Sequence, residues 1–415
     1  HLLFADDTMI FFEARRSHAE KVKLALDQYG VATGQSLNFD KCSILFGIAC
    51  PEDIQEEVMG VLHVTSLVFE EKYLGLPTPE GRMSKGRFQN LQMSLTKRLV
   101  QWGDGHLAQP GRETLIKSVA LALPTYMMGV FKIPFSVCDE LTRMVRAFYW
   151  GAEKGKRKVH WRAWEDLQQP KSKGGAGFRD YRIFNQALLA RQAWRLIPNP
   201  DSLCAQVLKA RYYPDGNIDD TVFSGNASSS WQAISYGLDL LKKGLIWRVG
   251  NDRSIRVWRD NWIPRPFSYK PITLQGRCRI RFVSDLLNDN GSWNVGLLQE
   301  YFLPADVNEI LKIRASPRHE DDTLAWGPGK FGVFSVKSAY QLGFEEAHRS
   351  SATGSSSRPN GRRSCWKLIW SSDVPPTVQN FAWRVATNSL PTWCNKYRRG
   401  LETSNLCPAC ASEPE

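Results

Sequence analysis

With 415 residues, 42% hydrophobic and 23% charged, the chain has room for two or three domains and is not disordered by composition. Its 54 Lys and Arg against 42 Asp and Glu leave +12 at neutral pH, which favours polyanionic partners through phosphate contacts and counterion release. Nine Cys with only one close pair exclude the dense disulfide framework of a secreted scaffold and point to a reducing, intracellular compartment. No apolar run reaches the roughly 18–20 residues needed to cross a bilayer, so no membrane partner is expected. Fifteen Trp supply core anchors or stacking surfaces for unpaired bases.

The chain opens "HLLFADDTMIFFEA" at His1, in mid-pattern, and reads as a piece of something longer. Residues 2–5 and 8–12 are apolar runs either side of Asp6-Asp7, which predicts strand, tight turn and strand with both aspartates at the tip. "SHAEKVKLALDQYGVAT" has a Ser start signal, and Val22, Ala25, Leu26 and Tyr29 recur at helical spacing. "GQSLNFDKCSILFG" then reads as a strand. Hairpin, helix and strand in this order fit an α+β sheet with a helix on one face.

From Ser84 to Trp150 three helical segments follow one another, each opened near Pro, Gly or Ser. The basic stretch "KGKRKVHWR" comes next, and helical periodicity resumes over "NQALLARQAWRLI". "LIWRVGNDRSIRVWRDNW" alternates around a Gly-Asn-Asp turn, and "TLAWGPGKFGVFSVKSAYQLG" pairs two strand-like runs before a helix, so a β-rich region is expected over 224–346. "RSSATGSSSRPNGRRS" lacks an apolar anchor and reads as a flexible linker within 347–364. Residues 365–415 form a small separate module ending in "CPAC". The fold class expected is α+β with several domains.

Two carboxylates side by side at an exposed tip repel each other, and a divalent cation relieves the repulsion. Mg²⁺ prefers one or two carboxylates plus phosphates and water, so Asp-Asp suits an ion shared with a nucleoside triphosphate. Taken alone, the dipeptide favours an ordinary solvated turn. Cys407 and Cys410 have the spacing of one zinc-ligand pair, yet a structural zinc needs four ligands.

The order of elements adds to this reading. "FADD" in an apolar hairpin, a helix, "GQSLNFDKC" and "EEKYLGLP" together resemble the end of the palm in plant reverse transcriptases of the non-LTR retrotransposon (LINE) type. The resemblance continues through "LVQWGDGHLAQPGRETLIKSVALALPTYMMGVFKIP" and "IWRVGNDRSIRVWRDNWIP", and through "FSVKSAYQL" to "FAWRVATNSLPT", covering nearly the whole chain. It implies a palm remnant over 1–83, a helical thumb and connection over 84–223, the β-rich region and linker, and a truncated reverse-transcriptase zinc-binding domain over 365–415.

The same resemblance assigns roles. Asp6 is the stronger magnesium ligand and Asp7 the supporting one, Lys41 lies near the triphosphate, and Tyr73-Leu74-Gly75 grips the primer end. The chemistry implied is attack of a primer 3′-hydroxyl on the α-phosphate of a deoxynucleotide, with RNA template, DNA primer and deoxynucleoside triphosphates as partners. Another metal-binding carboxylate and the fingers are expected upstream of His1, so this chain by itself is expected not to polymerise. The family's zinc pattern resumes with a His and a Cys beyond Cys410, while no His of this chain lies after Cys407, so the zinc site is expected to be incomplete and its module loose without metal.

Contacts to phosphate are expected from Arg82, Lys85, Arg87, Lys97 and Arg98 in the thumb-like segment. A second set is Lys154, Lys156, Arg157, Lys158 and Arg162, with His160 and Trp161 interleaved; this run also has the character of a nuclear-import signal, and the family resemblance implies a nuclear location. Two other readings compete. One is a non-catalytic nucleic-acid-binding protein derived from a retroelement, and the other a ribonuclease H type nuclease, for which no carboxylate constellation is present and whose domain is expected after Glu415.

Overall fold

The structure is a computed structural model that describes residues 1–5, 7–47, 49–67, 72–77, 85–103, 107–151, 158–216, 218, 227–250, 254–265, 268–288, 290–313, 321–352 and 363–414. It divides into two units, 1–81 and 82–415. Helices and small two-stranded sheets are mixed along the chain, so the α+β class holds at that level.

The first unit opens with a hairpin, β1 (Leu2–Phe4) antiparallel to β2 (Asp7–Met9). Helix α1 (Arg16–Thr33) stops at Gly34, whose φ of 73° supplies the left-handed residue that ends many helices. Helix α2 (Glu52–Leu62), which the sequence reading did not anticipate, packs on α1. The strand expected in "GQSLNFDKC" is absent from the described residues. A 3₁₀ turn (Phe39–Lys41) takes its place, because the Asn38 side chain accepts the Asp40 N–H at 3.2 Å and bends the backbone locally. Strands β3 (Lys72–Tyr73) and β4 (Leu76–Pro77) make a second hairpin. Few apolar side chains described here are buried: Ala19 and Val58 with no exposure, and Val64 and Pro77.

The second unit begins with α3 (Gln89–Gly103), whose Leu91, Leu95 and Leu99 recur every four residues on its buried face. Helix α4 (Gln109–Leu115) runs into a π-helical turn (Ile116–Ala120), followed by the short α5 (Thr125–Met128) and by α6 (Phe135–Tyr149). After α7 (Trp164–Gln168) comes the central helix, α8 (Tyr181–Leu196), started by the Asp180 carboxylate, which accepts the N–H of Arg182 at 2.8 Å and of Ile183 at 3.2 Å. Asn185 on α8 is buried, yet fully used. It accepts the Ile133 N–H at 2.9 Å and donates to the carbonyls of Met128 and Phe131 at 2.7 and 2.9 Å, fixing the turn between α5 and α6.

Helices α9 (Leu203–Tyr212) and α10 (Ser229–Gly244) follow. α8 and α10 approach so closely at Gly237 that a Cβ there would lie 2.2 Å from the Leu189 backbone. Strand β5 (Leu245–Arg248) does not form a hairpin with the Arg-Trp run after it. It pairs instead with β6 (Thr323–Trp326), beyond α11 (Val295–Tyr301) and α12 (Pro304–Ile310). Asp322 closes the ladder's end by accepting the Gly250 and Ser254 N–H groups at 2.9 and 3.0 Å. The intervening 249–313 chain wraps a core of its own around Trp262, Val283, Leu286 and Leu298. Among its described residues the region expected to be β-rich therefore contains one short ladder and two isolated bridges and is otherwise helical or irregular. Its alternating residues face this local core rather than a sheet.

Helix α13 (Val336–Ala352) runs through the first residues of the expected linker, and 353–362 lie outside the described residues. α8, α10 and α13 pack together around Trp231, Leu238, Leu241 and Trp326. The last helices are α14 (Arg363–Ser371), α15 (Pro376–Ala386) and α16 (Trp393–Arg398). They are not a separate body: α15 packs on α4, and α14 on the turn at Lys171–Lys173.

Candidate nucleic-acid interface

In the first hairpin Phe4 pairs with Asp7. Ala5 has φ 52°, the left-handed conformation a tight hairpin demands. Asp7 is therefore the first residue of a strand, exposed, rather than part of the tip; Asp6 lies outside the described residues. The strands leave Leu3, Phe4 and Phe11 more than 60% exposed. Lys41 sits in the 3₁₀ turn, also exposed, and among the described residues no hydrogen bond or ion pair joins it to Asp7. Asp7 fits one carboxylate position of a magnesium shell, and the described residues contain no group of three or more potential metal ligands that would complete one.

The second hairpin turns at Leu74 and Gly75, with φ of 51° and 75°, the two positive values of a type I′ turn. Glycine adopts this freely; a leucine does so only at a cost of roughly 1–2 kcal/mol. The expected primer-gripping segment Tyr73-Leu74-Gly75 is thus a strained tip projecting from a two-stranded ladder.

Of the thumb-like cations, Arg82 and the Lys85 side chain lie outside the described residues. Lys97 and Arg98 are exposed on α3, Lys97 on the side away from its buried leucines, and Arg87 is half-buried. Lys154, Lys156 and Arg157 also lie outside the described residues. Lys158 is exposed. Arg162 stands 3.5 Å from Asp166 and lies over the Trp383 ring at 5.8 Å, so part of its charge is engaged in packing.

Lys158 and Trp161 border a cavity of about 490 Å³ that Arg112 from α4, Tyr149 and Trp150 at the end of α6, and Arg384 from α15 also line. Trp150 stacks on His160 with centroids 6.0 Å apart, and Arg399 donates to the Trp161 carbonyl at 3.4 Å. Burial lowers the pKa of His160, and the guanidinium groups of Arg146 and Arg399 push it further down, which marks the local field as positive.

The CPAC segment forms a tight knuckle: Leu406 bridges Pro414, and the Cys407 N–H donates to the Glu413 carbonyl at 2.7 Å. The Ser412 hydroxyl, the N–H groups of Ser412 and Glu413, and Cys407 lower the Cys410 thiol to about 6. Two such sulfurs fit one edge of a tetrahedral zinc. Among the described residues no third or fourth ligand joins them, and Cys365 and Cys394 are not in disulfides.

Residues 334–415 match the family described as zinc-binding in reverse transcriptase. Over 350 residues the chain is 30% identical to "Putative ribonuclease H protein At1g65750" of Arabidopsis thaliana, covering 81% of this chain and 54% of that protein. Over 144 residues it is 38% identical to "Uncharacterized mitochondrial protein AtMg00310" of the same plant, covering 34% of this chain and 94% of that protein. The chain belongs to the reverse-transcriptase-related retroelement proteins. It spans about half the length of the first of these relatives. No helix among the described residues of this retroelement protein is long and apolar enough to cross a membrane.

Sequence reasoning located Lys158, Trp161 and Arg162 of this retroelement protein but missed Arg112, Arg146, Arg384 and Arg399. Each of these is a single cation in an amphipathic helix or at its end, and no local pattern distinguishes it from a solvated surface charge. Glycine supplies one hint: at Gly151, φ 75°, a Cβ would lie 2.0 Å from the Arg112 guanidinium, so the chain turns there in close contact with that cation.

Proposed function

We propose that this chain is the C-terminal part of the polymerase of a plant LINE-type element: palm end, thumb, connecting region and zinc-binding module. In this reading it holds an RNA template and DNA primer in the nucleus. Asp6 and Asp7 carry Mg²⁺, which when bound stabilises the attacking and leaving oxygens. Lys41 neutralises the triphosphate and offers a proton to departing pyrophosphate. Leu74 and Gly75 press the primer end toward the aspartates, while Lys97, Arg98 and Lys158 meet phosphates. A further carboxylate is needed for transfer, so catalysis is ascribed to the intact protein.

The observation that carries the reading is the order of two hairpins, one with Asp7 opening its second strand and one with a strained Leu-Gly tip, ahead of a helical unit that ends in the zinc-binding family match. The exposed apolar strands around Asp7 support it, because a lone two-stranded hairpin is marginally stable and needs a larger sheet. In the intact protein, Asp6→Asn is expected to abolish Mg²⁺-dependent primer extension while duplex binding stays; extension at the unmutated rate would remove the role.

A non-catalytic, nucleic-acid-binding retroelement derivative is the second reading, favoured by the basic aromatic cavity of the second unit. Salt-dependent RNA or DNA binding without deoxynucleotide incorporation by the intact protein would select it. The ribonuclease H in the relative's name is assigned to no residue here; nearly half of that relative lies outside the match.

A further inference from the structure

The cavity at the meeting of α4, the end of α6 and α15 combines three features that a structural packing fault does not explain. Its cations, Arg112, Lys158 and Arg384, come from three separate segments, and among the described residues no carboxylate lines it. Among the described residues neither Arg112 nor Arg384 has a carboxylate within ion-pair distance, although Arg384 is half-buried. Its Nε has no acceptor, and among the described residues its one side-chain hydrogen bond is long, 3.4 Å from Nη2 to the Ser389 carbonyl. Burial lowers its pKa, the mark of a cation stripped of water without an anion in exchange.

The second feature is the Trp150 indole. Trp150 is 8% exposed and lines the cavity, and its Nε1–H meets no acceptor. A buried indole N–H without a partner costs stability unless a ligand accepts from it. The third is aromatic surface beside the cations: Trp161 is half-buried at the cavity edge, while Trp150 has one face taken by His160. Two buried carboxylates elsewhere are, by contrast, already satisfied within the protein. Asp306, with no exposure, is held by Arg265, Thr273 and two backbone N–H groups, and Glu113 by Lys117 and Lys171.

We propose that this cavity is a nucleotide pocket that takes one phosphate and its adjoining base from a single-stranded nucleic acid: the guanidinium forks of Arg112 and Arg384 and the Lys158 ammonium hold the phosphate, the Trp150 N–H donates to an acceptor of the same nucleotide, and the base stacks on Trp161. The volume, about 490 Å³, lies within the range of small-ligand sites and admits a single nucleotide unit. Guanidinium forks match phosphate oxygens in pairs, and a base stacks on an indole whatever its sequence, so the pocket reads backbone and shape rather than sequence. The inference rests on the nucleic-acid reading above for its source of ligand. The pocket itself does not require polymerase activity.

The test uses the full chain and three probes: AMP, inorganic phosphate and short oligo(dT), each titrated calorimetrically. AMP is expected to bind at one site, and Arg112→Gln and Arg384→Gln each to weaken it roughly tenfold or more, the worth of a hydrogen bond to a charged group. Trp161→Ala is expected to weaken AMP and oligo(dT) but not phosphate. Unchanged AMP affinity in both arginine variants overturns the pocket. Phosphate binding as tightly as AMP overturns the nucleotide assignment, and AMP binding without oligo(dT) binding overturns the single-strand source and with it the broader nucleic-acid reading. Oligo(dT) binding that survives both arginine variants but falls in Lys97→Ala keeps the broader reading and overturns the pocket. Should Arg384→Gln fail to fold, Arg384→Lys, which keeps charge but loses the fork, is expected to weaken AMP severalfold with an unchanged melting curve.

Discussion

The Trp383 indole N–H donates to the Gly174 carbonyl at 3.0 Å across 209 residues of sequence, and Trp366 lies against the same glycine. Gly174 has φ 84°, and a Cβ there would sit 2.7 Å from the Trp366 ring. Lys171, 3.9 Å over the Trp370 ring, continues the seam and also binds Glu113 at 3.1 Å. Three tryptophans thus dock the C-terminal helices onto the turn after α7.

Trp383→Phe keeps most of the ring but removes the donor, leaving a buried carbonyl unpaired at a cost of about 1–3 kcal/mol. Gly174→Ala is expected to cost at least as much, because both the positive φ and the indole oppose the methyl group. Urea denaturation followed by Trp fluorescence measures both; two midpoints equal to that of the unmutated chain would mean that the seam contributes nothing.

The same seam bears on zinc. A module held by indole packing does not depend on metal for its attachment, contrary to the looseness expected from an incomplete ligand set. Chelation by EDTA is therefore expected to leave the melting temperature of the chain unchanged, and zinc titration to give weak binding that Cys407→Ser abolishes. A drop in melting temperature on chelation would contradict this.

Gly237 allows α8 and α10 to touch backbone to backbone. Gly237→Ala is expected to destabilise by about 1–3 kcal/mol as the helices are forced apart, in spite of alanine's higher helix propensity. The denaturation midpoint reports it, and a stabilised variant would show the contact to be loose.

The pH dependence has two arms. Burial pushes the Cys138 thiol up to about 12 from 9.0, and raises the Tyr149 and Tyr181 hydroxyls as well. Groups whose folded pKa lies above the unfolded value stabilise fully below the unfolded value and lose that contribution as pH rises toward the folded one. Stability is thus expected to fall between pH about 9 and about 12, with iodoacetamide labelling exposed Cys204 but not Cys138 until the chain unfolds. On the acid side burial raises Asp306, but the Thr273 hydroxyl, Arg265 and the N–H groups of Thr273 and Ile272 outweigh it and hold the carboxyl below its ordinary 3.8. Its contribution is present above that value and lost as pH falls through the lowered one. Asp306→Asn, which leaves Arg265 buried without its anion, is expected to cost about 3 kcal/mol or more and to flatten the acid arm.

Local elements were legible where a residue's conformational preference matches its neighbours' periodicity. The apolar repeat of "NQALLARQAWRLI" marks α8, and Leu-Gly between Tyr73 and Leu76 marks a turn. Where a side chain competes for the backbone, as Asn38 does, the strand pattern of its neighbours misleads. The β5–β6 pair was missed because Arg-Trp alternation next to β5 offers an equally good local partner. Only the close fit of Gly244 against the Trp326 ring, 2.4 Å from a hypothetical Cβ, selects the distant one.

Residue order alone determined the family membership, the first hairpin, the Cys pair and most helices, since each depends on types and spacings within a few turns of chain. The gathering of Arg112, Lys158, Trp161 and Arg384 around one space was decided by tertiary structure alone. Charge and aromaticity are properties of single residues, whereas a binding site is a set of distances, and those arise only when α4, α6 and α15 are packed by the tryptophan seam.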